Sequence, residues 1–236
     1  MHTIVYGDDL FDFPDLATEM FQDRRKQFCE ELGWNLNVDA LGREIDEYDL
    51  MNPLYVILRD DNGHHLASGR LMPTTGQTMI ADHFSDLIDS VHMKQPLIWE
   101  VTRVFVARRD KYAIRNAAAL MWAGCQIGLR VGVQKYVSVT PKQMTRVFAA
   151  CGWPAKIIGA RDKGTDREIC GCLWEINEEN CERLALRAGI EQSSNTVKIY
   201  RHQTPEVSLP STGLTAAATS IGDHDAGIRP GRALQY

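Results

Sequence analysis

The sequence lacks the features of a membrane or secreted protein. No run of about 18 or more apolar residues occurs, so no segment is expected to cross a bilayer. The segment from Met1 to Asp9 holds neither a basic stretch nor an apolar stretch, so we expect no secretory signal. These absences predict a cytoplasmic protein without membrane insertion.

Other signatures are also missing, and each absence excludes a class of partner or chemistry. The net charge is −5, whereas a nucleic-acid binder needs a dense basic surface. The seven histidines form no metal-spaced cluster and the six cysteines form no Cys-x-x-Cys pair, so we expect no metal site and no disulfide framework. There is no Gly-x-Ser-x-Gly motif, and no cysteine lies close in sequence to a histidine. Direct transfer, with carboxylates orienting and deprotonating the reacting group, therefore fits the residues better than a covalent enzyme intermediate.

The pattern of apolar residues predicts an α/β protein of the α+β type, with one mixed central sheet flanked by helices. The predicted strands cover residues 54–59, 66–72, 97–106, 135–140, 155–158 and 168–176, and the predicted helices cover 14–32, 116–131, 141–150 and 178–188. From about Glu191, Ser, Thr, Gly and Pro accumulate while large apolar residues become sparse. We therefore expect one folded domain over 1–190 and a flexible C-terminal tail over 191–236.

Charges on apolar stripes are the first candidates for a functional site. Arg24 falls on the helical stripe that includes Leu16 and Phe28, so it either meets an anion or extends along the surface into solvent. Asp46 and Asp49 are three residues apart, which would put both carboxylates on one face of a helical turn, where they could bind a cation or share protons. A solvated acidic loop is the other interpretation.

Three more charges lie inside predicted strands. Arg70 interrupts an otherwise apolar strand, and Glu100 and Arg103 both lie in the most hydrophobic strand of the chain. Such placement is typical of a buried ion-pair network, an active site, or both. Strict alternation would send Glu100 and Arg103 to opposite faces, because their separation is odd, whereas a bulge between them would turn both toward one cleft.

These residues belong to a longer ordered set of motifs that runs from the first helix to Trp153. The set comprises Arg24-Arg-x-x-Phe28, Leu32-Gly33-Trp34, Asp46-x-x-Asp49, Ser68-Gly-Arg70-Leu-Met-Pro, Phe84, Trp99-Glu100-Val-Thr-Arg103 and Gly152-Trp153. In order and spacing it resembles the acyl-homoserine-lactone synthases, the bacterial quorum-sensing autoinducer synthases. The resemblance implies a fold related to the GNAT acyltransferases, with the catalytic domain in residues 1–190.

The resemblance also implies a reaction between S-adenosylmethionine and an acyl thioester carried by acyl carrier protein or coenzyme A. The products would be an N-acyl-L-homoserine lactone and methylthioadenosine, and S-adenosylmethionine would be a substrate, with no cofactor. A basic loop is the candidate contact for the carrier, but it lacks the glycines whose backbone N–H groups cradle a pyrophosphate, so the carrier stays undecided. Its basic residues are Arg108, Arg109, Lys111 and Arg115.

On this interpretation Glu100 accepts the proton of the donor amine, directly or through a water. Asp46 and Asp49 hold the ammonium and adenosyl end, and Arg24 or Arg103 orients the methionyl carboxylate. The remaining expected substrate contacts are the aromatics Phe28 and Trp34 for the adenine or sulfonium, Arg70 as a brace or a purely structural residue, and Met79, Phe84, Trp99 and Thr140 for the acyl pocket. Thr140 is the candidate donor to a 3-oxo group.

Two other functions remain open at this point. One is a GNAT-like N-acyltransferase that uses a different amine acceptor, which would release no methylthioadenosine. The other is a non-catalytic relative that only binds acyl ligands or a partner protein. The intact charged set argues against the second, because a degenerate relative would be expected to have lost part of it.

Overall fold

The fold is built on a single mixed sheet of eight strands. The computed structural model describes residues 1–88, 90–107, 112–165, 167–191 and 197–202. The strands are β1 (His2–Tyr6), β2 (Leu54–Arg59), β3 (His65–Pro73), β4 (Ile98–Val106), β5 (Lys135–Pro141), β6 (Lys156–Arg161), β7 (Ile169–Glu175) and β8 (Ile199–Tyr200). Their spatial order is β6-β7-β5-β4-β3-β2-β1-β8. The β4–β5 and β1–β8 pairs are parallel and the other pairs are antiparallel, which confirms the predicted mixed sheet.

Helices cover both faces of this sheet. They are α1 (Pro14–Arg25), α2 (Met79–His83), α3 (Ser90–Met93), α4 (Ala113–Val131), α5 (Met144–Ala150) and α6 (Glu178–Ala188). The main apolar core lies on the face covered by α4, α5 and α6, while α1 and α2 pack on the opposite face. Among the described helices, none is both long enough and apolar enough to cross a bilayer.

The sequence-based boundaries agree with the structure except at a few places with physical causes. The first predicted helix ends in a π-helical turn, Lys26–Glu31, rather than in regular α-helix. The third helix begins at Met144 and not at Pro141, because Pro141 still belongs to β5, opposite Ile169. β1 is not predicted from the sequence, because its five residues form a strand through pairing with β2 and β8, which are distant in sequence.

The described chain returns to the sheet beyond the predicted domain boundary at residue 190. Ile199 and Tyr200 form β8, which pairs in parallel with β1, and the Tyr200 hydroxyl donates to Asp12 at 2.7 Å. This part of the predicted tail therefore belongs to the sheet. Residues 203–236, the remainder of the predicted tail, lie outside the described residues.

A β-bulge interrupts the pairing of β3 with β4. β3 advances two residues from Ser68 to Arg70 while β4 advances three, from Phe105 back to Thr102. Arg103 takes up the extra residue in a left-handed backbone conformation with φ of 51°. A bulge of this kind reverses the alternation of side chains along the strand. Counted from Glu100, the residues of β4 beyond the bulge therefore face the opposite side of the sheet from the one that regular alternation would give.

The parallel pair β4–β5 separates soon after it forms. Its register joins only Ile98–Glu100 to Lys135–Val137, and within the described residues no pairing follows toward Val106 or Pro141. Because the two strands diverge there, the sheet has a gap between them. The gap and the bulge lie in the same part of β4.

Strand β6 depends on one close backbone approach. A Cβ atom on Gly159 would overlap the backbone carbonyl of Leu87, which cannot rotate away as a side chain would. We expect Gly159→Ala to lower the free energy of unfolding by about 1–3 kcal/mol in urea denaturation. Gly76→Ala is the matched control, because a Cβ there would lie 3.8 Å from the Pro73 carbonyl oxygen, an ordinary contact. Equal stability of the two variants would contradict this account.

Candidate active site

A cleft of about 660 Å³ opens on the face of the sheet that carries α1 and α2, beside the gap between β4 and β5. Six of the residues predicted from the sequence line it: Trp34, Asp46, Met79, Phe84, Arg103 and Thr140. They come from the segment after α1, the acidic loop, α2, β4 and β5. The structure therefore brings together positions that are more than 100 residues apart.

Behind this cleft lies a buried network of ion pairs. Arg24 donates to Glu44 from Nε at 2.6 Å and to Asp49 from both terminal nitrogens, at 2.9 and 2.8 Å. Arg70 donates to Asp46 and to Asp49, at 2.5 and 2.8 Å from Nη1. Arg24 and Arg70 are each only 1% exposed. The alternative that Arg24 extends into solvent is therefore wrong.

Arg103 joins the network from the cleft side. Its Nη2 lies 2.9 Å from Glu44 Oε1 and 2.9 Å from Asp46 Oδ2. Glu44 is fully buried, and its carboxylate accepts hydrogen bonds from two guanidinium groups, those of Arg24 and Arg103. Its backbone N–H donates to the carbonyl of Phe21 in α1, which fixes the loop against that helix. The network so described has three cationic and three anionic side chains.

The acidic loop presents its carboxylates through a capped 3₁₀ turn, Glu47–Leu50. Asp46 accepts from the backbone N–H groups of Tyr48 and Asp49, while Asp49 accepts from the N–H of Asp46, a reciprocal capping box. Both carboxylates then lie on one side of the turn, where Arg70 contacts each of them. The helical-turn interpretation of their spacing is confirmed, and the solvated-loop alternative is wrong.

Electrostatics favour the charged forms of Asp49, Arg24 and Arg70. Burial opposes ionisation of Asp49, but the ion pairs and hydrogen bonds with Arg24, and the pairing with Arg70, hold its pKa well below the usual range. Burial likewise opposes the charge on Arg24, yet Asp49 and Glu44 raise the pKa of its guanidinium. Asp49 also accepts the Tyr55 hydroxyl at 2.7 Å. Asp49 therefore acts as a permanently charged internal brace.

Glu100 differs from the carboxylates of this network. It has no exposed surface, and burial raises its pKa to about 7 although the backbone N–H groups of Ile80 and Met79 donate to it at 2.7 and 3.1 Å. A carboxyl group with a pKa near neutrality can accept and release a proton under physiological conditions. Among the carboxylates described in this site, Glu100 is the one suited to proton transfer.

The bulge in β4 brings Glu100 and Arg103 to one side of the sheet. Met79 contacts both: its N–H donates to Glu100, and its sulfur lies 3.7 Å from Arg103 Nη1. The predicted bulge is therefore confirmed, and it brings both side chains to one side of the sheet. Arg103 lines the cleft, whereas Glu100 lies behind Met79 and has no exposed surface.

An aromatic wall stands beside Arg103. The rings of Phe28 and Trp34 stack with centroids 5.2 Å apart and an interplanar angle of 8°, and the Arg103 guanidinium carbon lies 5.7 Å from the Phe28 centroid. Trp34 is 39% exposed and lines the cleft, whereas Phe28 is buried behind it. The wall offers a flat ring face to a ligand with aromatic or cationic groups.

Several predicted site residues do not reach the cleft. Arg24, Arg70 and Asp49 lie behind it within the network. Trp99 points to the opposite face of the sheet and packs against the main core, because it is one residue out of phase with Glu100.

The predicted carrier contacts are placed differently. Arg115 is separate from the cleft: its Nε donates to the carbonyl of Ala188 at the end of α6 at 2.8 Å, and it borders a different cleft of about 860 Å³. Arg108, Arg109 and Lys111 lie outside the described residues.

Sequence reasoning missed Glu44, which is central to the network. The charge balance of the predicted set could have indicated it. The set contains three arginines, but its carboxylates are only the two loop aspartates and Glu100. If Glu100 is to remain a proton acceptor, a third permanent anion is needed to balance the arginines. Glu44 lies in the same acidic segment, two residues before Asp46.

A small apolar cavity of about 70 Å³ lies on the other face of the sheet, where the main core packs. β4 and β5 contribute to its walls, as they do to the cleft, but with different residues: Val101 and Val104 of β4 and Tyr136 and Ser138 of β5. The cleft and the apolar cavity thus lie on the two sides of the same gap in the sheet.

Because Glu44 balances two buried arginines, we expect Glu44→Gln to lower the free energy of unfolding by about 3–5 kcal/mol, the cost of leaving buried charges unpaired. The matched control is Glu47→Gln in the same loop, whose side chain is 53% exposed. We expect the control to change stability by no more than about 0.5 kcal/mol. Urea denaturation of both variants measures the difference, and similar losses in the two would contradict it.

Comparison with known proteins agrees with this geometry. The family model described as "Autoinducer synthase" matches residues 11–184. The acyl-homoserine-lactone synthase of Rhizobium etli is 30% identical over 183 residues, covering 75% of this chain and 85% of the relative. The corresponding enzyme of Ralstonia nicotianae is 30% identical over 199 residues, covering 79% and 94%.

A solved structure adds the fold. The crystal structure of TofI in a ternary complex with an inhibitor and MTA is 26% identical, with a TM-score of 0.63, and the match covers 75% of this chain and 92% of TofI. The family match spans well over half of the sequence and includes every residue of the buried network. This chain is a member of the autoinducer synthase family.

Proposed function

We propose that this protein is an acyl-homoserine-lactone synthase that joins the acyl group of a thioester to the amine of S-adenosylmethionine and then closes the lactone. The product would be an N-acyl-L-homoserine lactone, a quorum-sensing signal, and the by-product methylthioadenosine. The observation that carries the proposal is the position of Glu100, with its raised pKa, beside a cleft that presents Asp46, Arg103 and an aromatic wall.

The cleft offers complementary groups for each part of S-adenosylmethionine. Asp46 accepts from the ammonium group, since its side chain is the more exposed of the two network carboxylates that line the cleft, at 9% against 1% for Glu44. Arg103, which also lines the cleft, orients the methionyl carboxylate. Trp34, supported by Phe28, packs on the adenine or the sulfonium. Asp49, Arg24 and Arg70 position these groups from behind and do not touch the substrate.

Acyl transfer begins with loss of a proton from the ammonium group. Glu100 accepts it through a water molecule, because Met79, whose backbone N–H donates to this carboxylate, stands between Glu100 and the cleft. The amine nitrogen then attacks the thioester carbonyl carbon, the new C–N bond forms, and the C–S bond breaks to release the carrier thiol. Held at a short distance, the two reactants need no covalent acyl-enzyme.

Lactone closure follows within the acylated intermediate. An oxygen of the methionyl carboxylate attacks the carbon beside the sulfonium, a C–O bond forms, and the C–S bond breaks to release neutral methylthioadenosine. The role of Arg103 is to hold the carboxylate in the orientation for this attack. No cofactor takes part in either step, since both leaving groups are supplied by the substrates.

The acyl chain leaves the cleft through the gap between β4 and β5 and enters the apolar cavity on the other face. Met79, Phe84 and Thr140 stand at the mouth of this path, and Thr140 is the candidate donor to a 3-oxo group. Trp99 is omitted from the proposed pocket because it packs against the main core and lines neither the cleft nor the apolar cavity.

The acyl donor in this proposal is a thioester of acyl carrier protein or of coenzyme A. Contact of the carrier with the basic loop stays a prediction. All six cysteines are free thiols, a state that fits a reducing compartment, and we place the reaction in the cytoplasm.

The decisive experiment follows methylthioadenosine release with an acyl thioester and S-adenosylmethionine. We expect Glu100→Gln to lower the rate by about 10²-fold or more, because the amide cannot accept the proton. In the unaltered enzyme the ionised carboxylate is the active form, so the rate should rise with pH and level off above a pKa of about 7. Initial rates at a series of pH values test both points.

Glu179→Gln on α6 is the matched control, because its side chain is 80% exposed and the residue does not line the cleft. A folded Glu100→Gln variant with the rate of this control would refute the assignment of the base. Acylation of an amine without release of methylthioadenosine would instead identify an N-acyltransferase with a different acceptor. Binding of the substrates without turnover would identify a non-catalytic relative.

A further inference from the structure

Helix α4 contains two glycines, and only one of them is explained by packing. A Cβ on Gly128 would lie 2.5 Å from Ile176 Cδ1 and 3.1 Å from the Tyr136 hydroxyl, so α4 needs glycine there to pack closely. A Cβ on Gly124 would meet no heavy atom within 4 Å, although Gly124 is buried. Glycine inside a helix costs about 0.5–1 kcal/mol relative to alanine. No packing contact therefore accounts for the glycine at this position.

The space in front of Gly124 is the apolar cavity. Gly124 forms part of its wall, and so does Gly69 of β3, where a Cβ would make only an ordinary contact with Val104 at 3.8 Å. The carbonyl of Gly124 accepts the Tyr136 hydroxyl at 2.8 Å, which ties α4 to β5 across the wall. The missing side chain at Gly124 is therefore the reason that the cavity extends to the backbone of α4.

The far wall of the cavity is aromatic and interlocked. Phe148 and Trp174 meet edge to face with centroids 5.1 Å apart, and Trp153 contacts Trp174 at 6.4 Å. The indole nitrogens donate to backbone carbonyls, Trp174 to Trp153 and Trp153 to Glu175. Side chains held in this way cannot easily swing aside for a longer ligand.

The volume limits what can enter. A cavity of about 70 Å³ accommodates roughly two to three methylene-sized groups at ~30 Å³ each, the share of a water molecule in the liquid. The polar groups on its wall are few: the Tyr136 hydroxyl is already donated to Gly124, and Ser138 lies near the backbone of Val139. An aliphatic chain end therefore fits the cavity better than a polar one.

We propose that Gly124 sets the depth of the acyl pocket, and that the preferred donor carries a short aliphatic acyl chain whose last two or three carbons fill the cavity. This inference rests on the proposed function, since it takes the acyl chain to pass through the gap between β4 and β5. It assigns to this chain a specificity-determining residue on the face of the sheet opposite to the charged network.

The test compares acyl chains of increasing length. Butanoyl, hexanoyl, octanoyl and decanoyl thioesters, each on coenzyme A and on acyl carrier protein, are supplied with S-adenosylmethionine, and kcat/KM is measured from methylthioadenosine release. We expect the unaltered enzyme to prefer butanoyl or hexanoyl over decanoyl. In Gly124→Ala the added methyl group occupies the cavity, so the hexanoyl-to-butanoyl ratio of kcat/KM should fall by about tenfold or more.

Met121→Ala provides the opposite change, because Met121 also lines the cavity and is only partly buried. Its truncation should enlarge the pocket and raise the octanoyl-to-butanoyl ratio. Gly76→Ala is the matched control, a tolerated glycine-to-alanine change outside the cavity, and should keep the ratios of the unaltered enzyme. Thermal unfolding of Gly124→Ala should occur at no lower temperature than that of the unaltered protein, since alanine favours the helix.

Three results would count against the inference. A preference of the unaltered enzyme for decanoyl would refute the short chain. Unchanged ratios in both Gly124→Ala and Met121→Ala would refute the role of the cavity. Absence of methylthioadenosine with every thioester would overturn the proposed function itself, and the inference with it, so the two failures are distinguishable.

Discussion

The buried ion-pair network is the constraint on which the rest of the site depends. Arg24, Arg70 and Arg103 would each be prohibitively costly to bury alone, and so would the carboxylates that meet them. Shared between three cations and three anions, the charges compensate one another, and each guanidinium has more than one partner. Such a network tolerates little displacement, so it holds α1, the acidic loop and two strands in one fixed arrangement.

Within that arrangement, Glu100 is kept separate from the arginines. Its hydrogen bonds come from two backbone N–H groups at the start of α2, and these only partly offset the effect of burial on its pKa. Direct pairing with an arginine would have lowered the pKa and removed the ability to exchange a proton near neutrality. The carboxylates of the network accept hydrogen bonds from arginines, whereas Glu100 accepts them from backbone N–H groups. This difference in donors separates the charged carboxylates from the one titratable carboxyl group.

Two irregularities of the sheet connect the network to the proposed acyl path. The bulge at Arg103 turns its guanidinium toward the cleft, and the early separation of β4 from β5 leaves the gap through which the acyl chain is proposed to pass. A regular, fully paired sheet would have closed this gap with backbone hydrogen bonds. The size of the space behind it then depends on α4, where glycine replaces a side chain at position 124.

Much of this was present in the sequence. Helical and alternating periodicity located most elements, and Arg24, Arg70, Glu100 and Arg103 stood out because charges in apolar segments require partners. The sequence did not reveal which partners they have: Glu44 lies 20 residues from Arg24 and 59 from Arg103, in a loop without periodicity. The side of the sheet that Arg103 faces, the pKa of Glu100 and the depth of the cavity were likewise decided by tertiary structure. Each depends on desolvation and on contacts between distant segments, whereas local sequence patterns report only on neighbours within one element.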